Sequence, residues 1–231
     1  MKRFYDMVGT REREGAWQVT LDGRGLKTVK GADQVVPSRK LVEALASEWD
    51  TQSEDLDPAS FPMRDMADYA IDVVAHTRGE VASKLITYAD TDTLLYRADP
   101  DEAIFAKQEA TWEPILTAFE RREGLTLKRV SGVIHALQDK AALAKLRDKI
   151  AGFDPFTLAG LEAMTSLAAS LTIGLTALEP DADPVALWQA ASLEEEWQAD
   201  EWGRDYEAEE RRAKRQTDFL RACEFAKATA A

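Results

Sequence analysis

The spacing of apolar residues changes once along this chain, and that change divides it. Trp17, Val19 and Leu21 sit at alternate positions and lead into Asp22-Gly23. Strict alternation builds a strand with one buried face, and Asp-Gly is a favoured two-residue hairpin turn. Leu26 to Val29 is the expected returning strand, Phe4 to Val8 an earlier one, and Gly9 to Gly15 a charged loop between strands. Val35-Val36 adds a short strand that ends at Pro37. From Met63 the spacing becomes helical: Met63, Ala67, Ala70 and Val74 fall on one face. Between the two regimes, Ser38 caps a helix to about Gln52 whose buried side is Leu41, Leu45 and Trp49. Thr51 to Pro62, rich in Asp, Ser and Pro, reads as a connector. The expected class is α+β. A small antiparallel β domain with one packed helix covers 1–62, and a larger, irregular, orthogonal helical bundle covers 63–231.

Within the bundle, Val81 to Tyr88 is helical, and Asp99-Pro100 opens a helix to about Arg122 that Pro114 should kink or split. Leu125 to Val130 alternates and fits a short extended segment. A helix covers Lys140 to Ile150. Asp154-Pro155 and Asp183-Pro184 each place a cap before a proline at the first helical position. They open helices to about Ser170 and Ala199, and a last helix runs from about Arg204 to Ala228.

The densest chemistry lies between Ser192 and Arg215. Leu193 to Glu210 holds nine Asp or Glu residues and one Arg, with Trp197, Trp202 and Tyr206 among them. Ser192 and Glu195 have the spacing of a capping box, and Glu194, Glu195 and Glu196 fill a first turn, where the helix dipole favours negative charge. One long helix, bent at Gly203, would put Glu195, Gln198 and Trp202 on one face and Leu193 with Trp197 on another. Such a run reads either as a solvated amphipathic helix with a tryptophan seam or as aromatic anchors ringed by acids, the makeup of a recognition surface.

A net charge of −13 argues against nucleic acid and anionic membrane surfaces, both of which call for basic patches. The single cysteine, Cys223, excludes an internal disulfide and a cysteine zinc cluster. No apolar run has the length of a membrane span, and the first residues lack the apolar core of a signal peptide, so a cytoplasmic location is expected.

Catalytic motifs are missing. Gly25-Leu26-Lys27-Thr28 lacks the glycine spacing of a phosphate loop, and no Gly-x-Ser-x-Gly, Gly-x-Gly-x-x-Gly or His-Glu-x-x-His occurs. His76 follows Asp72 by four residues, the spacing of a helix-surface hydrogen bond, and His135 stands alone. Acids drawn from Glu194 to Glu196, Asp200 and Glu201 leave a carboxylate- or metal-dependent enzyme as the competing class, and a generic acidic holdase as a third. No catalytic residue, metal ligand or cofactor is assigned, and binding another protein is the default role.

Several stretches carry a resemblance when taken together: Lys2-Arg3-Phe4-Tyr5, Leu21 to Thr28, Glu48 to Gln52, Thr91 to Ala98, Gln108 with Trp112 and Pro114, Ser192 to Gln198, and Trp202 to Glu207. In that order, over nearly the whole chain, they resemble the assembly chaperones that bind the α subunit of F-type ATP synthase, found in mitochondria and α-proteobacteria. The resemblance implies a non-enzymatic monomer of the bacterial cytoplasm (the mitochondrial matrix for eukaryotic members). It implies a partner, the unassembled α subunit, whose interface the chaperone masks until β arrives, and no small-molecule substrate. It places the binding surface on Glu194, Glu195, Glu196, Gln198 and Trp202, with Glu195 the foremost of the three glutamates. Trp197 and Trp202 are left as either interface or core.

Overall fold

The computed structural model describes residues 1–132 and 136–229. The architecture is α+β: a small antiparallel sheet at the N-terminus, then a largely helical chain. The chain forms two compact units, each with its own core. The first is Met1–Arg78 with Asp154–Gly160 and Arg221–Ala231, and the second is Gly79–Phe153 with Leu161–Leu220.

The first unit is built on β1 (Val8–Arg13), β2 (Ala16–Leu21), β3 (Arg24–Gly25) and β4 (Val35–Val36). All three of the others pair antiparallel with β2, β1 in full register from Val8 opposite Leu21 to Arg13 opposite Ala16. The expected loop at Gly9 to Gly15 is thus mostly strand. Its Thr-Arg-Glu-Arg sequence hides the pattern because β1 is an exposed edge, where charged side chains deter further pairing. Glu14 and Gly15 turn the chain at φ 53° and 81°. The expected strand Phe4 to Val8 contributes only Val8; the Asp22 carboxylate instead accepts the N–H groups of Asp6 and Met7, at 3.1 and 2.8 Å.

The returning strand stops at Gly25, short of the expected Leu26 to Val29. Beyond it, the Leu26 and Thr28 N–H groups still donate to backbone carbonyls, of Val19 and Ala32, and from Val29 side chains capture the backbone. The Thr28 hydroxyl donates to Asp72 at 2.7 Å, and the N–H groups of Val29 and Lys30 donate to Asp68 and Asp72. The Asp72 carboxylate thus turns to Thr28 and Lys30, and no hydrogen bond joins it to His76, which is exposed, so the expected Asp72–His76 pairing does not form.

Helix α1 (Arg39–Asp50) starts as expected, with Ser38 Oγ accepting from the Leu41 N–H. The Ser38 hydroxyl also donates to the Ala228 carbonyl. Leu41, Leu45 and Trp49 are buried, and the Trp49 carbonyl accepts from the Tyr5 hydroxyl at 2.5 Å. In α2 (Pro62–Tyr69) and the π-helical turn Ala70–Val74, the stripe Met63, Ala67, Ala70 and Val74 is buried throughout.

Helix α3 (Ala75–Asp90), kinked at Thr77, leads into the second unit. There β5 (Tyr96–Arg97) pairs in parallel with β6 (Val130–Ser131). Helix α4 (Phe105–Glu123) begins later than the Asp99-Pro100 signal, because the Glu102 carboxylate takes the Asp99 N–H in a turn of its own. It then runs unbroken through Pro114, so the expected split does not occur. Ala110, whose carbonyl loses its i+4 N–H partner at Pro114, is exposed, so that carbonyl is not sealed in the core.

After α5 (Lys140–Ala151) and α6 (Pro155–Ala168) comes α7 (Leu171–Ala177), which the sequence does not announce. It is seven residues long and buried on nearly every side, so it has no polar face to set a period. The expected helix to Ala199 is two, α8 (Pro184–Ala191) and α9 (Leu193–Trp202), broken at Ser192. The long acidic helix is likewise broken at Gly203, whose φ of 99° suits glycine, and α10 (Tyr206–Thr229) follows.

Candidate functional site

The break at Gly203 turns α10 back along α9, so the arginines of α10 return to the acids of α9. Arg215 Nη1 binds both oxygens of Glu195 at 2.8 and 3.1 Å, twenty residues away in sequence. Arg204 reaches Glu196 at 3.1 Å, Asp200 at 2.6 Å and Glu209 at 3.1 Å. Arg212 pairs with Glu209 and donates to the Glu195 carbonyl at 3.1 Å. The hydrogen bond from Arg204 holds the Asp200 carboxyl below the usual carboxylate range. The acid run is therefore not a bare negative stripe. It is a lattice of alternating charges, and helical spacing misses its arginines because one continuous helix would carry them away from the acids.

The three consecutive glutamates face three ways. Glu194 points inward: its carboxylate accepts from Gln108 Nε2 on α4 at 2.6 Å. Burial pushes its carboxyl above the ordinary range, against the Gln108 hydrogen bond. Glu195 faces Arg215, and Glu196 faces Arg204 and Arg212. The expected capping box does not form, since the Ser192 hydroxyl donates back to the Trp188 carbonyl at 2.9 Å and Glu195 is held by Arg215.

Glu195, Gln198 and Trp202 do share a face. They line a shallow hollow of about 400 Å³ with Gly203, Arg211, Arg212 and Arg215. Trp202 is 76% exposed and Tyr206 79% exposed, on either side of the Gly203 break. Leu193 is buried on the other face, where Trp197 is half-buried and meets Trp202 edge-on, ring centroids 6.3 Å apart. Exposing two large aromatic rings on one corner is costly unless something covers them.

Among the described residues no group of three or more His, Cys, Asp or Glu could hold a metal ion, and no helix is long and apolar enough to cross a membrane. His135 lies outside the described residues. Cys223 is buried, and burial pushes its thiol up to about 12, which removes it as a nucleophile.

The family model for the ATP12 chaperone protein matches residues 2–120. The crystal structure of Atp12 from Paracoccus denitrificans is similar at a TM-score of 0.94 and 36% identity, over 99% of this chain and 98% of that one. A mutant of the same protein is equally similar, with 97% of its chain covered. The mitochondrial protein atp12 of Schizosaccharomyces pombe is 25% identical over 214 residues, 87% of this chain and 74% of that protein.

Proposed function

The chain belongs to the ATP12 chaperone family, and we propose from that membership that it serves the assembly of F-type ATP synthase by binding the unassembled α subunit. A subunit made apart from its neighbours exposes the apolar surface meant for them, and such surfaces aggregate. The chaperone covers that surface and yields it when the β subunit arrives. It needs no nucleotide or metal for this, because exchange for a tighter partner drives release. It acts as a monomer, in the bacterial cytoplasm.

The observation that carries this reading is the corner at Gly203, where Trp202 and Tyr206 stand exposed beside paired acids and arginines. An aromatic centre with a polar rim is the makeup of a protein-binding hot spot. The contact surface lies on the α9 segment, on Glu195, Glu196, Gln198 and Trp202, with Glu195, Gln198 and Trp202 facing the hollow and Glu194 turned away beneath it towards Gln108.

Co-expression with the α subunit followed by affinity capture is the test. The parent should retain α in soluble form. A folded Glu195→Lys/Glu196→Lys variant should lose it, and capture undiminished by that variant refutes the surface. Equal protection of unrelated aggregating proteins refutes the preference for α.

A further inference from the structure

Gln108 and Trp112 sit one helical turn apart on α4, and both are fully buried. Trp112 Nε1 donates to the Ala190 carbonyl at 2.8 Å, at the end of α8. Gln108 Nε2 donates to Glu194, in the first turn of α9. One helix thereby grips both sides of the α8–α9 break. The orientation of the Gln108 amide is not arbitrary. Its Oε1 accepts the Ala98 N–H at 2.9 Å, so its NH₂ must face Glu194, and Glu194 must accept.

Position 194 is thus fixed from beneath, and α9 is a helix. Setting one residue on the α4 side sets the direction of those on the next faces: Glu195 towards Arg215, and Gln198 and Trp202 towards the hollow. We propose that Gln108 and Glu194 form a positioning pair that sets the rotation of α9, and that Glu194 contributes to partner binding through Gln108, without touching the partner. This rests on the reading of the α9 surface as the binding surface.

The test is an exchange of the two side chains. Gln108→Glu sets two carboxylates against each other with no donor between them. Amide hydrogen exchange over Leu193–Trp202 should quicken at least tenfold, and capture of the α subunit should fall at least tenfold. Glu194→Gln keeps an acceptor for Gln108, so capture should stay within twofold, with its salt dependence unchanged. Carrying both changes together restores a donor–acceptor pair, since the new glutamate accepts from Ala98 and from the new glutamine. Exchange in α9 and capture should both return to the parent's level.

Loss of capture in Glu194→Gln with α9 exchange unchanged would make Glu194 a direct contact and overturn the proposal. Failure of the double variant to restore α9 exchange would overturn it as well. If the parent itself captures no α subunit, the partner assignment falls, and the exchange measurements alone decide the positioning pair.

Discussion

Arg215 closes on Glu195 with one nitrogen against both carboxylate oxygens, at 2.8 and 3.1 Å, while its guanidinium lies 5.4 Å above the Trp188 ring. The side chains of Glu195 and Arg215 are 45% and 42% exposed, so water screens the pair. A pair of this kind contributes at most about 1 kcal/mol to stability. Glu195→Ala should therefore shift the denaturant midpoint little. Capture of the α subunit should still fall at least tenfold, because the carboxylate faces the hollow. A large loss of stability with capture intact would reverse the assignment.

The two kinds of tryptophan should separate in the same way. Trp202 is exposed, and truncating an exposed side chain moves stability by roughly 0.5 kcal/mol or less. As an interface anchor its loss should cost about 2 kcal/mol of binding or more. Trp112 is wholly buried and hydrogen-bonded to Ala190, so Trp112→Ala should cost about 3–5 kcal/mol in folding. Unfolding curves and capture run side by side on the two variants check both statements.

The contrast marks what a sequence can disclose. Val19, Leu21 and the Met63 stripe are readable from period and are buried, but period does not assign the faces of β2, which also buries Gln18 and Thr20 and leaves Trp17 half-buried. β1 is not readable, since an edge strand of arginine and glutamate looks like a loop. The shared face of Glu195, Gln198 and Trp202 follows from helical spacing and stands. The arginines that answer those acids do not follow, because the turn at Gly203 is a tertiary event that reunites residues twenty positions apart. Gln108 carries a resemblance, yet its contact with Glu194 spans 86 positions and leaves no local signal.

Asp92 is fully buried and accepts from three donors: the Leu94 N–H at 3.1 Å, the Ser170 hydroxyl at 2.6 Å and the Thr172 N–H at 2.8 Å. Asparagine has the same shape but offers only one accepting oxygen. In Asp92→Asn its NH₂ must face the Thr172 N–H or the pair Leu94 and Ser170. The orphaned donors should cost about 1–3 kcal/mol, read as a lower midpoint in urea. An unchanged midpoint would show that Asp92 is not the keystone of these turns.

Glu113 contributes to the acid limb of the stability curve. Burial raises its carboxyl, but hydrogen bonds from Arg129 and Arg97 more than offset that and hold it below the ordinary 4.5. Its pKa is thus lower folded than unfolded, so the unfolded state takes the proton first. The stability it contributes is full above about pH 4.5 and is lost as pH falls through the depressed folded value. Melting temperature should therefore fall less steeply with acid in Glu113→Gln than in the parent. Parallel curves below pH 4.5 would remove Glu113 from the account.

Cys223 supplies a probe for the first unit. Burial holds its thiol near 12, so at neutral pH only roughly one molecule in 10⁵ carries the reactive thiolate. Labelling by iodoacetamide should be negligible until the C-terminal part of α10 comes away from its neighbours. Those neighbours include Gly160 of α6, where an added Cβ would stand 2.8 Å from the Ala226 Cβ and 3.3 Å from the Ala222 carbonyl oxygen. No methyl fits there unless one backbone moves, so Gly160→Ala should loosen the contact and raise the labelling rate at least tenfold. Rapid labelling of the parent would mean that this end of α10 is not held in place. An unreactive Gly160→Ala variant would mean that the close approach of α6 and α10 is not what holds it.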